Sequence, residues 1–153
     1  MTRRALVTGV GRLRGIGAGI AAGLAEDGWD LVLSHWQPYD ARLGLVGEPD
    51  DAERLADELR AAGRRVEVLS ADLEQPNEAT GLVERATGRL GGLDALVMSH
   101  CESVDSGVLD TTVESFDRHY AVNVRAPWTG SSSRPRTSWP AWACGPTSST
   151  PVR

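Results

Sequence analysis

The sequence predicts an α/β protein whose doubly wound parallel sheet stops after about four strands and whose C-terminal tail is largely irregular. Three observations lead there. Apolar, strand-like runs alternate with helix-like segments through residues 1–126 of 153, and that alternation calls for right-handed crossovers and parallel strands. A glycine-dense stretch, TGVGRLRGIG at residues 8–17, sits between the first run and the first helical pattern, which is where such sheets receive a nucleotide. The last 27 residues follow neither periodicity.

Taken in order, RALVTG (4–9) is a short apolar run entering glycines and predicts a buried strand. Ile16, Ile20, Ala21 and Leu24 follow at helical spacing, closed by Gly28. WDLVLSHW (29–36) is a second strand, and the residues after it, Tyr39 included, read as a loop. PDDAERLADELRAAG (49–63) is a helix: its acids favour the positive end of the dipole, and Leu55 and Leu59 share a face. RVEVLSADL (65–73) is a third strand, residues 76–90 a helix with Pro76 near its start, LDALVMS (93–99) a fourth strand, and 112–125 a further helix.

Composition narrows the function. A net charge of -5 argues against general affinity for nucleic acid or anionic membrane. No apolar run approaches a membrane span, and MTRRALVTG enters a strand too soon to read as a secretory leader. Cys101 and Cys144, the two cysteines, have neither metal-ligand spacing nor a disulfide framework, so a reducing, cytoplasmic compartment is expected. His35, His100 and His119 are spaced unlike metal ligands, and no metal site is predicted. Trp29 and Trp36 flank the second strand as packing residues. All 16 basic residues are arginine. Within this polypeptide, then, any mechanism that needs an ammonium group is closed, whether Schiff base, Walker-type phosphate lysine or tyrosine–lysine pair.

The chain divides near Ala126. Residues 1–126 hold all 21 acids and 13 arginines, a net -8, whereas 127–153 hold three arginines, no acid, five prolines and three tryptophans. Seventeen of those 27 residues are Ser, Thr, Pro or Gly, and the prolines interrupt any helix or ladder. One reading is a natural linker or disordered tail. The reading we favour is a displaced reading frame in a GC-rich gene, which gives this mixture and also an early stop.

A strand leading into TGxGxxxGIG and then a helix is a sound phosphate-binding context. Thr8 and Gly9 open the turn, while Gly15, Ile16 and Gly17 enter the helix. Glycines let backbone approach a pyrophosphate, and the helix start offers free N–H groups. The alternative is that Gly15 and Gly17 serve only close helix–sheet packing. An acid at the end of strand two, about 20 residues past the loop, usually marks preference for the unphosphorylated ribose. Here that region reads Ser34, His35, Trp36 and Gln37, with Asp30 early and Asp40 late. Arg12 and Arg14 offer a 2′-phosphate a fixed fork of donors, so NADP is the preferred cofactor and NAD the alternative, unless both arginines simply face solvent. Ser99, His100 and Cys101 fall at the carboxyl end of strand four, where open sheets bind ligands. A cofactor-facing wall suits them better than a Cys–His nucleophile, because adjacent side chains diverge across a strand.

With these residues in place, the chain resembles the short-chain dehydrogenase/reductase family. The resemblance rests on ALVTGVGRLRGIG (5–17), ADL (71–73), LDALVMSH (93–100) and YAVNVRAP (120–127). It covers about 126 residues, roughly the first half of a typical member, and the loop, with two extra residues, is similar to that of bacterial 3-oxoacyl-acyl-carrier-protein reductase-like proteins. It implies a Rossmann fold in which Gly9, Gly15 and Gly17 line the pyrophosphate. It also implies that Asp72 meets the adenine, with Leu73 packed beside it. Asn123 matches the helix asparagine that supports the family's active-site lysine through water. The family's Asn-Asn-Ala-Gly after strand four is here Met98, Ser99, His100 and Cys101, which weakens the usual bracing of the central strands.

The family's proton relay is a serine with Tyr-x-x-x-Lys, where lysine tunes the phenol. The tyrosines here, Tyr39 and Tyr120, do not match that position, and Ser131–Ser133 follow nothing that reads as a fifth strand. The resemblance therefore implies an oxidoreductase of small-molecule carbonyl or alcohol substrates by ancestry, with turnover by this chain doubtful. A non-catalytic dinucleotide-binding remnant and a non-functional fragment are the alternatives. A sheet ending at strand four leaves an exposed edge, so self-association is expected there.

Overall fold

A computed structural model describes residues 2–45, 47–127 and 129. Among these residues four strands are interleaved with five α-helices: β1 (Arg4–Thr8), α1 (Ile16–Glu26), β2 (Asp30–His35), α2 (Gln37–Arg42), α3 (Asp51–Ala61), β3 (Val66–Ser70), α4 (Pro76–Leu90), β4 (Ala95–Met98) and α5 (Val113–Tyr120). The strands form one sheet in the order β3-β2-β1-β4. All pairings are parallel, with Leu6 of β1 level with Val32 of β2 and Leu96 of β4.

Parallel strands covered on both faces read as continuous apolar runs, and β1 and β2 do. Their alternate side chains supply two cores. Ala5, Val7, Leu31 and Leu33 pack with Ala18 and Ala21 of α1 and Leu55 and Leu59 of α3. Leu6 and Val32 face the other way, onto Ala79, Leu82, Val83, Ala86 and Leu90 of α4. The side chains that α1 buries are all Ala or Gly, so that helix lies close to the sheet. Proline in the first turn starts α4, and Gly91, at φ 75°, ends it in the left-handed conformation.

The sequence-based boundaries overshoot by one to three residues at most strand and helix ends. Three differences are larger. The stretch after β2, expected as loop, contains α2: Pro38 suits its first turn, Asp40 its start and Arg42 its end. It buries none of its side chains, so no apolar period announces it. The helix expected over 112–125 is α-helical only to Tyr120 and continues as a wider π-helical turn over Ala121–Arg125. Helical backbone then persists at 126, 127 and 129, past the expected break at Ala126. The rest of the tail expected at 127–153 lies outside the described residues.

The strand order decides where a site forms. From β1 the chain winds outward through β2 and β3, then returns to β4 on the other side of β1, so a crevice opens at the carboxyl ends of β1 and β4. Gly9 and Gly17 make that junction tight. Gly9 has φ 76°, and a Cβ there would overlap the Ser99 carbonyl and stand 2.6 Å from His100 N. A Cβ on Gly17 would stand 2.6 Å from the Gly9 carbonyl oxygen, so the start of α1 rests directly on the turn. We expect Gly17→Ala to cost about 1–3 kcal/mol, as overpacking does. A lower urea midpoint at unchanged slope checks it; an unchanged midpoint would mean that α1 backs away without loss.

Candidate cofactor-binding site

The floor of the crevice is built by Thr8. Its side chain is buried, and its Oγ1 lies 2.7 Å from His100 Nδ1 and accepts the Ser99 N–H at 3.2 Å. One hydroxyl thus ties β1 to the segment after β4. Above it, Gly9 and Val10 carry the chain across the crevice, and Val10 N–H donates to the Ser34 carbonyl at 2.9 Å. The loop closes with Gly15 N–H donating to the Arg12 carbonyl at 3.0 Å. Gly15 then caps α1 with no side-chain acceptor, and the first turn has no acid. The helix start therefore leaves its N–H groups and positive dipole end to a ligand anion.

A cleft runs from this turn across the ends of β2 and β3. Gly9, Gly11, Arg12, Ser34, His35, Trp36, Tyr39, Asp40 and Arg42 line one side, and Asp72, Leu73, Glu74 and Ser99 to Glu102 the other. Arg12 Nε pairs with Asp40 Oδ1 at 3.3 Å. Burial pushes the Asp40 carboxyl up from its ordinary value, against the pull of Arg12 and His35. Asp72 faces the cleft while its Oδ1 accepts the Glu74 N–H at 3.0 Å, forming the turn before α4. Leu73 is buried in the α4 core at the cleft's base.

Of the residues singled out by sequence, Gly9, Arg12, Asp72, Leu73, Ser99 and His100 meet in the cleft. Gly15, Ile16 and Gly17 sit at the start of α1, where Ile16 is 80% exposed. Arg14 is exposed on the same loop, and Thr8 is sealed beneath the turn. Asn123 stands apart, on the π-helical turn, where both ends of its amide are taken by Glu102: it accepts the Glu102 N–H and donates to the Glu102 carbonyl, each at 2.8 Å. Trp36, expected to pack, lines the cleft instead, because the start of α2 turns it over the end of the sheet. Three contributors escaped the sequence reading, and a fourth, Asp40, entered it only as an acid too late for the end of strand two. Asp40 and Arg42 are brought in by α2, and Glu102 by the loop after β4. Asp51, buried at the head of α3, accepts the Leu13 N–H at 3.1 Å and pins the glycine loop. No run of residues signals these pairings, which join positions 28 to 60 apart in the chain.

The residues present fit a dinucleotide. The turn leaves no room for a side chain, the helix start is uncapped, and an open cleft lies beside it. A family model described as short chain dehydrogenase matches residues 3–134. The chain belongs to the short-chain dehydrogenase family. A short-chain dehydrogenase/reductase of Armillaria gallica is 38% identical over 123 residues, covering 80% of this chain and 43% of that protein. Among solved structures, a short-chain dehydrogenase from Burkholderia cenocepacia in complex with NADP is 34% identical with a TM-score of 0.74, covering 86% of this chain and 49% of that one. A 3-oxoacyl (acyl-carrier-protein) reductase from Agrobacterium tumefaciens with NADP bound is 28% identical at a TM-score of 0.72, covering 86% and 45%. This short-chain dehydrogenase chain thus spans less than half the length of these relatives.

Burial disfavours the charged form of two histidines that line the cleft. Burial lowers the His35 pKa, partly opposed by Glu53 and Asp40, and burial lowers that of His100, partly opposed by a hydrogen bond to the Val122 backbone. Between the folded pKa and the ordinary value of 6.5 the unfolded chain binds more protons than the folded one. Their contribution is therefore complete above that value and is lost as pH falls below it. Asp40, raised, acts in the opposite sense but at more acid pH. We expect the urea midpoint to fall as pH is lowered from about 7 to about 5.5, and to fall less in His100→Asn. Superimposable pH profiles for the two proteins would contradict it.

Proposed function

We propose that this chain binds NADP(H) in preference to NAD(H), as the dinucleotide-binding portion of an oxidoreductase acting on carbonyl or alcohol substrates, and that by itself it holds the cofactor without turning a substrate over. The observation that carries the reading is the junction of Gly9 with Ser99 and His100 at the switch point, beside an uncapped helix start. Gly9, Gly15 and Gly17 would take the diphosphate, and Asp72 and Leu73 the adenine. Arg12 and Arg14 would meet a ribose phosphate, and Ser99 and His100 would wall the crevice. When bound, the cofactor supplies a hydride acceptor or donor. Relatives solved with NADP bound support the choice of cofactor. Against turnover stands the composition: with no lysine among 153 residues, nothing here can lower the pKa of a phenol as an ammonium group does. Met98, 49% exposed on β4 at the sheet edge, supports self-association along that edge.

Titration by NADPH and NADH fluorescence tests the reading. NADPH is expected to bind about tenfold more tightly than NADH, the value of one or two charge-assisted hydrogen bonds. That preference should shrink in a variant carrying Arg12→Ala and Arg14→Ala. Equal affinity for the two nucleotides would remove the preference for the phosphorylated form, and absence of both would remove the cofactor reading. Turnover of a simple aldehyde with NADPH would overturn the non-catalytic part.

A further inference from the structure

Three consecutive backbone N–H groups after β4 are each taken by a side chain from a different element. Residues 99–107 form neither helix nor strand, and no backbone carbonyl receives the N–H of Glu102, Ser103 or Val104 among the described residues. Asn123 of the π-helical turn accepts the first at 2.8 Å. The Tyr39 hydroxyl of α2 accepts the second at 3.2 Å, and Nε2 of His119 on α5 accepts the third, also at 3.2 Å. Main-chain donors have to be satisfied somewhere, and here side-chain acceptors set the path of the segment in place of a ladder. Glu102 lines one side of the cleft and Tyr39 the other, so the bond from Ser103 to Tyr39 bridges the two.

The three clamps differ in what a proton does to them. The Asn123 amide does not titrate near neutrality. Burial pushes the Tyr39 phenol up from its ordinary value, so its hydroxyl keeps the lone pairs that accept. His119 is different. Its Nδ1 lies 2.7 Å from the Ser115 carbonyl oxygen, which can only accept, so Nδ1 carries the hydrogen. Nε2 receives the Val104 N–H and so carries a lone pair. The ring is thereby fixed as one neutral tautomer. A proton added at Nε2 would set N–H against N–H, and the contact with Val104 would be lost. Ser115 still accepts from Nδ1, and more strongly from a charged ring. The imidazole therefore stays on its helix, and the segment gives way.

The titratable and charged groups on the elements that meet at the ring are Cys101, Glu102 and Asp105 on the segment, Glu114, Asp117, Arg118 and Tyr120 on α5, and Arg125 on the turn that follows. Glu102 is engaged by Arg42 and Arg118 by Glu74, Arg125 donates to the Glu74 carbonyl, and none of these groups is hydrogen-bonded to the imidazole among the described residues. Glu102 marks where a release would stop. The Asn123 amide grips both its N–H and its carbonyl, and neither contact involves His119.

We propose that His119 is a positioning residue of the cleft and a proton-operated latch, which in its neutral form holds residues 103–104 against α5 and on protonation releases them while Glu102 stays in place. The latch acts on the cleft wall itself and does not rest on the cofactor reading.

Amide exchange followed by NMR on the full 153-residue chain, corrected for the intrinsic pH dependence of exchange, tests it, with the His119 ring carbons titrated in the same samples. Protection of Val104 is expected to fall about tenfold between about pH 7.5 and about pH 5.5, with the midpoint of the ring. Ser103 should follow, while Glu102 and the buried Val32 of β2 keep their protection. In His119→Gln, which retains an acceptor but cannot take the proton, Val104 should be equally protected at both pH values. In His119→Leu its protection should be low at both. Constant protection of Val104 in the wild-type chain, whether or not the ring titrates, overturns the latch. A fall that persists in His119→Gln assigns the response to another group, and wild-type protection in His119→Leu removes the positioning role. A parallel fall at Glu102 or Val32 would mean that the whole wall or the whole fold opens, which overturns a local release.

Discussion

The close approach of the turn after β1 to the end of β4 governs the rest of the molecule. Gly9 lies against the backbone of Ser99 and His100, with no space for a Cβ, and the start of α1 lies against Gly9 through the equally bare Gly17. Three segments converge there with almost no side chains between them. What remains exposed is backbone: the N–H groups of the loop and of an uncapped helix end. Backbone donors on a tightly packed junction hold their positions without side-chain entropy to lose, which suits the recognition of an anion. Thr8 secures the same junction from below, since one hydroxyl meets both His100 and the Ser99 amide. The small side chains of α1 belong to the same constraint, because a bulkier buried face would lift the helix from the turn it rests on.

Around that junction the charges are largely spent on one another. The cleft is lined by four carboxylates, Asp40, Asp72, Glu74 and Glu102, against two guanidiniums, Arg12 and Arg42. Counted as free charges they would repel a phosphate. Each acid, however, already has a partner: Asp40 holds Arg12, Asp72 makes the turn before α4, Glu74 pairs with Arg118 at 3.2 Å, and Glu102 holds Arg42. An acid so engaged fixes a donor in place and presents little free potential of its own, whereas the arginines retain open N–H groups.

How far the sequence discloses this arrangement depends on the range of each interaction. The central strands are legible because burial on both faces makes their runs continuous, and the glycine loop is legible because its close packing needs missing side chains at fixed local spacing. Helix α2 is not, since QPYDAR has no apolar stripe and derives its turn from Pro38 and its end charges. The wider turn at Ala121–Arg125 escapes for a related reason: the apolar spacing of a helix does not separate four-residue from five-residue closure over a single turn. Asp51 reads as an ordinary helix-start acid until the fold brings Leu13 to it. Arg42 and Glu102, 60 positions apart, carry no local mark at all. Family resemblance supplied Asp72, Leu73 and Asn123, and it gave no warning of α2.

Asn123 shows how a scaffold for binding stands apart from a relay for protons. Resemblance links it to an active-site lysine, and this chain contains none. Its amide is nevertheless engaged at both ends, gripping the main chain of Glu102. The π-helical turn beneath it offsets the residue from regular helical spacing and brings it to the segment that follows β4. A residue retained only for a proton relay has no reason to be so satisfied once its partner is missing. One that braces Glu102, and through Glu102 the arginine on α2, keeps its place for the sake of the cleft. The wall of the cleft is therefore held together by contacts among the described residues, and its order does not depend on groups that would move a proton.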